Sequence, residues 1–143
     1  QSQLFAAREK TVREAHPKWD YPKIFAETTK LVSPVFNLDG SKNVPPHSTG
    51  GAIDVYLIDD NGEPYDMGIH PKDWMTDIKG EISKTKSDLI SQDASKNREI
   101  MSKALTIVGF VNYPTEYWHW SYGDRYWAYH KNEKHALFNS VEY

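Results

Sequence analysis

"PTEYWHWSYGDRYWAYH", residues Pro114–His130, is the stretch on which the fold turns. Eight of the chain's 19 aromatic side chains fall between Tyr113 and Tyr129, so this segment must contribute heavily to the core. Read as a strand, its alternation puts Trp118, Trp120 and Tyr122 on one face and Tyr117, His119 and Ser121 on the other. The tryptophans are large and apolar and belong inward. His119 then points to the opposite face, with Glu116 just ahead of the strand. The Gly123-Asp124 pair reads as a turn and predicts a hairpin to a second aromatic run, Arg125–His130. Gly109–Asn112 and Ala136–Val141 are further short aromatic runs.

Working outward, Asn97–Val108 has the spacing of a helix. Ile100, Met101, Ala104, Leu105 and Val108 form its expected apolar stripe, and Gly109 its C-cap. His70–Asp93 is polar and irregular, and partly helical. Farther back, "HSTGGAIDVYLIDDNG" begins at His47 and carries a strand over Ala52–Ile58. Alternation assigns Ile53, Val55 and Leu57 to the core and Asp54 to the other face. "DDNG" at Asp59–Gly62 is a tight turn, which predicts a short return strand near Pro64–Met67. The two glycines of "STGG" relax the backbone enough to fold His47 back beside Asp54. Helices are expected at Gln3–Ala15 and Pro22–Leu31, followed by a loop over Ser33–Pro46. Helices first and antiparallel strands later give an α+β fold, a small antiparallel sheet flanked by helices on one side. The expected organisation is a single domain over residues 1–143.

With 26% charged residues and a net charge of −3, there is no basic excess to recruit nucleic acid or a membrane surface. No apolar run approaches the roughly 20 residues that cross a bilayer. The first residues form an amphipathic pattern without the apolar centre of a signal peptide. The chain has no cysteine, so any metal must be held by His, Asp or Glu.

Zinc hydrolases commonly hold the metal with three such ligands and keep a water in the fourth position, its pKa lowered toward ~7. A carboxylate that is not a ligand then takes and returns the proton. His47, Asp54 and His119 make a candidate ligand set of this kind, and Glu116, three residues before the last, is the candidate base. A hydrogen-bonded core histidine, an edge-strand aspartate and a turn glutamate account for the same residues without a metal. His16, His70, His130 and His135 lie in polar contexts and read as solvated; Asp59 and Asp60 belong to the turn.

"HSTGGAID" at His47–Asp54 resembles the HxxGxAxD signature of the D-alanyl-D-alanine dipeptidases, within a zinc peptidase superfamily that includes D,D-carboxypeptidases and endolysins. "TEYWHWSYGDRYWA" at Thr115–Ala128 resembles their second signature, a Glu three residues before a His in a Trp-rich strand. "PYDMG" and "NREIMSKALTIVGF" match in position too. The resemblance implies one Zn²⁺ per chain on His47, Asp54 and His119, with Glu116 as general base and acid. It implies hydrolysis of D-Ala-D-Ala, or a similar small D,D-dipeptide, in bacterial wall turnover. The compartment would be cytoplasmic or periplasmic. Asp73, after the Met-Gly pair, is the nearest match to the residue that meets the substrate amine, and Tyr117 and Ser121 are further substrate-binding candidates. A D,D-carboxypeptidase or endolysin acting on longer stem peptides, and a catalytically impaired wall-peptide binder, are the alternatives. Three departures bear on them. Pro45 stands where members carry Ser, and Tyr117 where Trp is common. The Gly-Tyr-Arg segment that supplies an oxyanion-stabilising Arg is absent from this sequence, which starts at Gln1; an upstream portion is therefore expected, and Arg8, Arg13, Arg98 and Arg125 are the possible substitutes.

Overall fold

The computed structural model describes residues 2–141. The chain falls into two compact units, Gln1–Pro45 and Pro46–Tyr143. The first holds helices α1 (Ser2–Ala15) and α2 (Tyr21–Thr29). Asp20 caps α2 by accepting from the Lys23 amide at 3.1 Å, and Pro22 sits in the first turn, where an amide proton has no helical partner. The two helices meet through Phe5 and Phe25, with ring centroids 5.5 Å apart.

The second unit carries the sheet. Its strands are β1 (Ala52–Asp54), β2 (Val111–Tyr113) and β3 (Glu116–Ser121), all antiparallel, in the order β1-β3-β2. Helix α3 (Gln92–Ile107) precedes β2 and helix α4 (Arg125–Lys131) follows β3. The α+β expectation holds. As the central strand, β3 is buried on both faces from Tyr117 to Ser121. Tyr117, Trp118 and Trp120 join Met67 and Met101 in the core.

Several local expectations are corrected. The first strand ends at Asp54, not Ile58: one more ladder bond follows, from the Val55 amide to the Trp118 carbonyl, and then the chain bends toward the Asp59–Gly62 turn. The return strand shrinks to a single bridge between Ile58 and Pro64. Ile53, assigned to the core by alternation, is 38% exposed, because β1 is an edge strand too short to be covered along its length. Helix α3 begins five residues earlier than predicted, where the Ser91 hydroxyl accepts from the Ala94 amide. Its buried residues are Ala94, Arg98 and Met101, while Ile100 and Val108 of the expected stripe are exposed. The helix closes as expected at Gly109, the amides of Gly109 and Phe110 reaching back to the Thr106 and Leu105 carbonyls.

A further correction concerns Arg125–His130, which is helical. Asp124 is a helix cap rather than a hairpin residue: its Oδ1 accepts from the Trp127 amide and its Oδ2 from the Ser121 hydroxyl, each at 2.8 Å. The hairpin lies one strand earlier, between β2 and β3. Ala136–Val141 forms no strand.

The β2–β3 pairing contains an offset. Asn112 stands opposite Trp120, yet Tyr113 stands opposite Glu116. Residues 117–119 therefore have no opposite number on β2. The Asn112 side chain fills the gap, donating to the carbonyls of His119 at 3.0 Å, Glu116 at 3.2 Å and Tyr117 at 3.4 Å.

Candidate metal centre

The pairing register sets the first half of the site. Asp54 lies directly opposite His119 across the β1–β3 ladder, so both side chains leave the same face of the sheet. The Asp54 Oδ1 and His119 Nδ1 atoms are 3.2 Å apart. His119 is only 7% exposed, which limits its ring to one direction.

The second half comes from the segment before β1. Pro46–Thr49 forms one turn of 3-10 helix, and the Thr49 hydroxyl closes it by donating to the Pro46 carbonyl at 2.6 Å and accepting from the Gly51 amide at 2.9 Å. Gly50 has a φ of +71°, which an L side chain rarely adopts. At Gly51 a Cβ would come within 3.0 Å of Asp124 and Thr49. The two glycines thus do different work: one reverses the chain, the other lets it press against the cap of α4. The result turns His47 back over the strand. Its Nδ1 faces the Ala52 carbonyl at 3.2 Å, and because a carbonyl can only accept, that nitrogen carries the proton. Nε2 is left facing Asp54 Oδ1 at 3.4 Å. The two imidazoles meet edge to face, with centroids 4.7 Å apart.

His47, Asp54 and His119 therefore present ligand atoms that all lie within 4.8 Å of one another. Two imidazole nitrogens and one carboxylate oxygen suit a zinc-like divalent cation, and three protein ligands leave a position open. The side chains of His47 and Asp54 are about half exposed, at 48% and 44%, so an ion held there would be open to solvent. Glu116 Oε2 lies 4.0 Å from His119 Nδ1, beside the ligands.

The electrostatics follow from this packing. Burial pushes the Asp54 carboxyl up, but the hydrogen bonds and charges of His119 and His47 outweigh it and hold the group far below the ordinary carboxylate range. His47 is raised by its bond to Asp54, against the opposing effect of burial. Glu116 is pushed above the ordinary range, first by burial and then by the charge of Asp54, against the pull of His119. The two carboxyls are thus driven in opposite directions, Asp54 downward and Glu116 upward.

Tyr117 is fully buried and its hydroxyl donates to the Ile69 carbonyl at 2.7 Å. Ser121 is fully buried and bonded to Asp124. Asp73 is exposed, within the 3-10 helix Pro71–Thr76. His16, His130 and His135 are exposed, as expected. His70 is half-buried instead, capping that 3-10 helix by accepting from the Lys72 amide and meeting the Tyr56 ring at 4.5 Å. Of the arginines, Arg13 pairs with Glu9 at 2.9 Å, and Arg98 is 1% exposed with its guanidinium committed to main-chain carbonyls. The sequence reading passed over Asn112, whose only signal was an amide residue at the end of a short aromatic run.

A family model described as D-ala-D-ala dipeptidase matches residues 8–140. A D-alanyl-D-alanine dipeptidase of Synechocystis sp. is 32% identical over 108 residues, which cover 69% of this chain and 42% of that relative. The match thus spans less than half of the relative's length.

Proposed function

The chain belongs to the D-Ala-D-Ala dipeptidase family, and on that premise we propose that it is a zinc-dependent dipeptidase that hydrolyses D-Ala-D-Ala to two molecules of D-alanine. The observation that carries this reading is the convergence of His47, Asp54 and His119 with Glu116 at their side.

His47, Asp54 and His119 would hold the metal. Zinc there supplies an activated water and a Lewis acid for the scissile carbonyl. Imidazole and carboxylate ligands bind a cation only in their deprotonated forms, so affinity should fall as the pH is lowered. Asp54, held ionised, supplies the negative charge of the ligand set. Glu116 takes a proton from the attacking water and returns it to the leaving amine. Its carboxylate stands beside the ligand set, with Oε2 4.0 Å from His119 Nδ1, which is the geometry that supports this role. Asp73 keeps an exposed carboxylate with which to meet the substrate's ammonium group. Among the described residues, no helix is long and apolar enough to cross a membrane, and a small dipeptide partner requires none.

Elemental analysis and D-alanine release test the reading together. The wild-type chain is expected to hold one zinc and to release D-alanine from D-Ala-D-Ala faster than from a pentapeptide stem. A folded chain that takes up no zinc sinks the proposal; faster cleavage of the pentapeptide reassigns the substrate class.

A further inference from the structure

The offset between β2 and β3 sits against the two residues on which the site depends. Glu116 and His119 are three residues apart in a strand, where alternation would send their side chains to opposite faces. Nevertheless, Glu116 Oε2 and His119 Nδ1 lie 4.0 Å apart. That approach coincides with the irregularity at Asn112/Tyr113, which interrupts regular pairing over residues 117–119. An offset of this kind bends a strand and re-aims its side chains, and it persists only if the carbonyls it frees find other donors.

Asn112 supplies them. Its amide group donates to the carbonyls of His119 and Glu116, the main-chain atoms of the ligand and the base themselves. The longer contact, to Tyr117, falls on a carbonyl that the Trp120 indole already satisfies at 3.0 Å. The Asn112 amide is itself oriented, because the Thr85 hydroxyl donates to its Oδ1 and fixes which end faces β3. Thr85 is in turn tied by its own amide to the Pro114 carbonyl at 3.0 Å. Its backbone is anchored separately, the Tyr126 hydroxyl donating to the Asn112 carbonyl at 3.2 Å.

We infer that Asn112 is a positioning residue that sets the spacing between the metal ligand His119 and the base Glu116, acting through their carbonyls without touching metal or substrate. The inference rests on the zinc dipeptidase reading and deepens it. Partners that orient metal ligands typically account for 10–100-fold in affinity or activity.

The test compares Asn112→Ala, Thr85→Val and Tyr126→Phe with the wild-type chain. Zinc affinity is read by competition with a chromophoric chelator, and ligand geometry by the d–d spectrum of the Co²⁺-loaded protein. Asn112→Ala should weaken zinc about 10–100-fold and alter the Co²⁺ spectrum, with kcat reduced at saturating zinc. Thr85→Val, which frees the amide to rotate but leaves it in place, should shift both readouts in the same direction by less. Tyr126→Phe removes a bond to the Asn112 backbone only and should leave zinc affinity unchanged. A folded Asn112→Ala with wild-type zinc affinity and Co²⁺ spectrum overturns the inference and leaves the dipeptidase reading standing. Should Asn112→Ala fail to fold, wild-type affinity and spectrum in Thr85→Val overturn it equally. A wild-type chain that binds no zinc overturns both.

Discussion

Two polar constellations adjoin β3, and they answer the same physical problem in opposite ways. In one, Arg98, 1% exposed, is a permanent cation inside the protein. Its guanidinium donates to the carbonyls of Met67, Ile82 and Lys84 and lies 4.0 Å from the Tyr117 ring centroid. Here the chain brings the cation and closes a shell of oxygens and π-face around it. In the other, His47, Asp54 and His119 bring ligand atoms to one point, half open to water. A closed shell leaves nothing for a substrate to touch, whereas an open one leaves a position where chemistry can occur. The comparison separates what holds β3 in place from what β3 presents.

The sharpest way to break the comparison is to damage each side and ask whether the other notices. The largest effects are expected at the open side. His119→Ala should lose the zinc and all activity, while Glu116→Gln should keep the zinc and lose about 10²–10⁴-fold in kcat, the usual range for a general acid–base group. Zinc content and D-alanine release measured on the same samples decide the matter. If Glu116→Gln were fully active, the base would have to be another residue.

At the closed side the expected loss is stability. Arg98→Met leaves the buried Met67 carbonyl and the part-buried Ile82 and Lys84 carbonyls without this donor; at roughly 1–3 kcal/mol for the buried one and less for the other two, the total is about 2–4 kcal/mol. Arg98→Lys should rescue little, since an ammonium cannot reproduce the guanidinium fork. Urea unfolding of the zinc-free chain measures it, and the molecules that remain folded should bind zinc with wild-type affinity. A loss of zinc affinity without a loss of stability would mean that the two sides are not separate.

This division also explains what was legible in the sequence. The grouping of His47, Asp54 and His119, with Glu116 beside it, was readable because these residues occur at spacings that resemble a known pair of signatures. Alternation on both strands placed Asp54 and His119 on a common face, which the register confirms. The closed side was not readable, because its acceptors are main-chain carbonyls, which every residue possesses. The segment His70–Asp93 read as irregular, yet it delivers the carbonyls of Ile82 and Lys84 to Arg98 and the hydroxyl of Thr85 to Asn112. The stripe on α3 was misjudged for a related reason. A charged residue is read as outward, but Arg98 is the inward one and Ile100 the exposed one. Gly123-Asp124 fits both a hairpin and a helix cap, and only the partners of the Asp124 carboxylate distinguish them.

The smallest predicted effect probes how that irregular segment is held. Asp77, 5% exposed, accepts from the Ser83 amide at 2.7 Å and the Glu81 amide at 3.1 Å, and the Ser83 carbonyl accepts from the Tyr117 amide of β3 at 2.9 Å. Burial pushes the Asp77 carboxyl up, but these amides outweigh it and hold the group below its ordinary range. A carboxyl whose folded pKa lies below its unfolded one contributes fully above the unfolded value and loses that contribution as the pH falls through the folded one. Asp77→Asn should therefore cost about 1–2 kcal/mol at neutral pH, where the charge-assisted bonds are intact. The gap between variant and wild type should narrow as the pH falls below about 4, because the wild-type carboxyl is then protonated as well. Urea unfolding between neutral pH and acid measures that gap. A difference that stays constant with pH would mean that Asp77 holds the segment by shape rather than by charge.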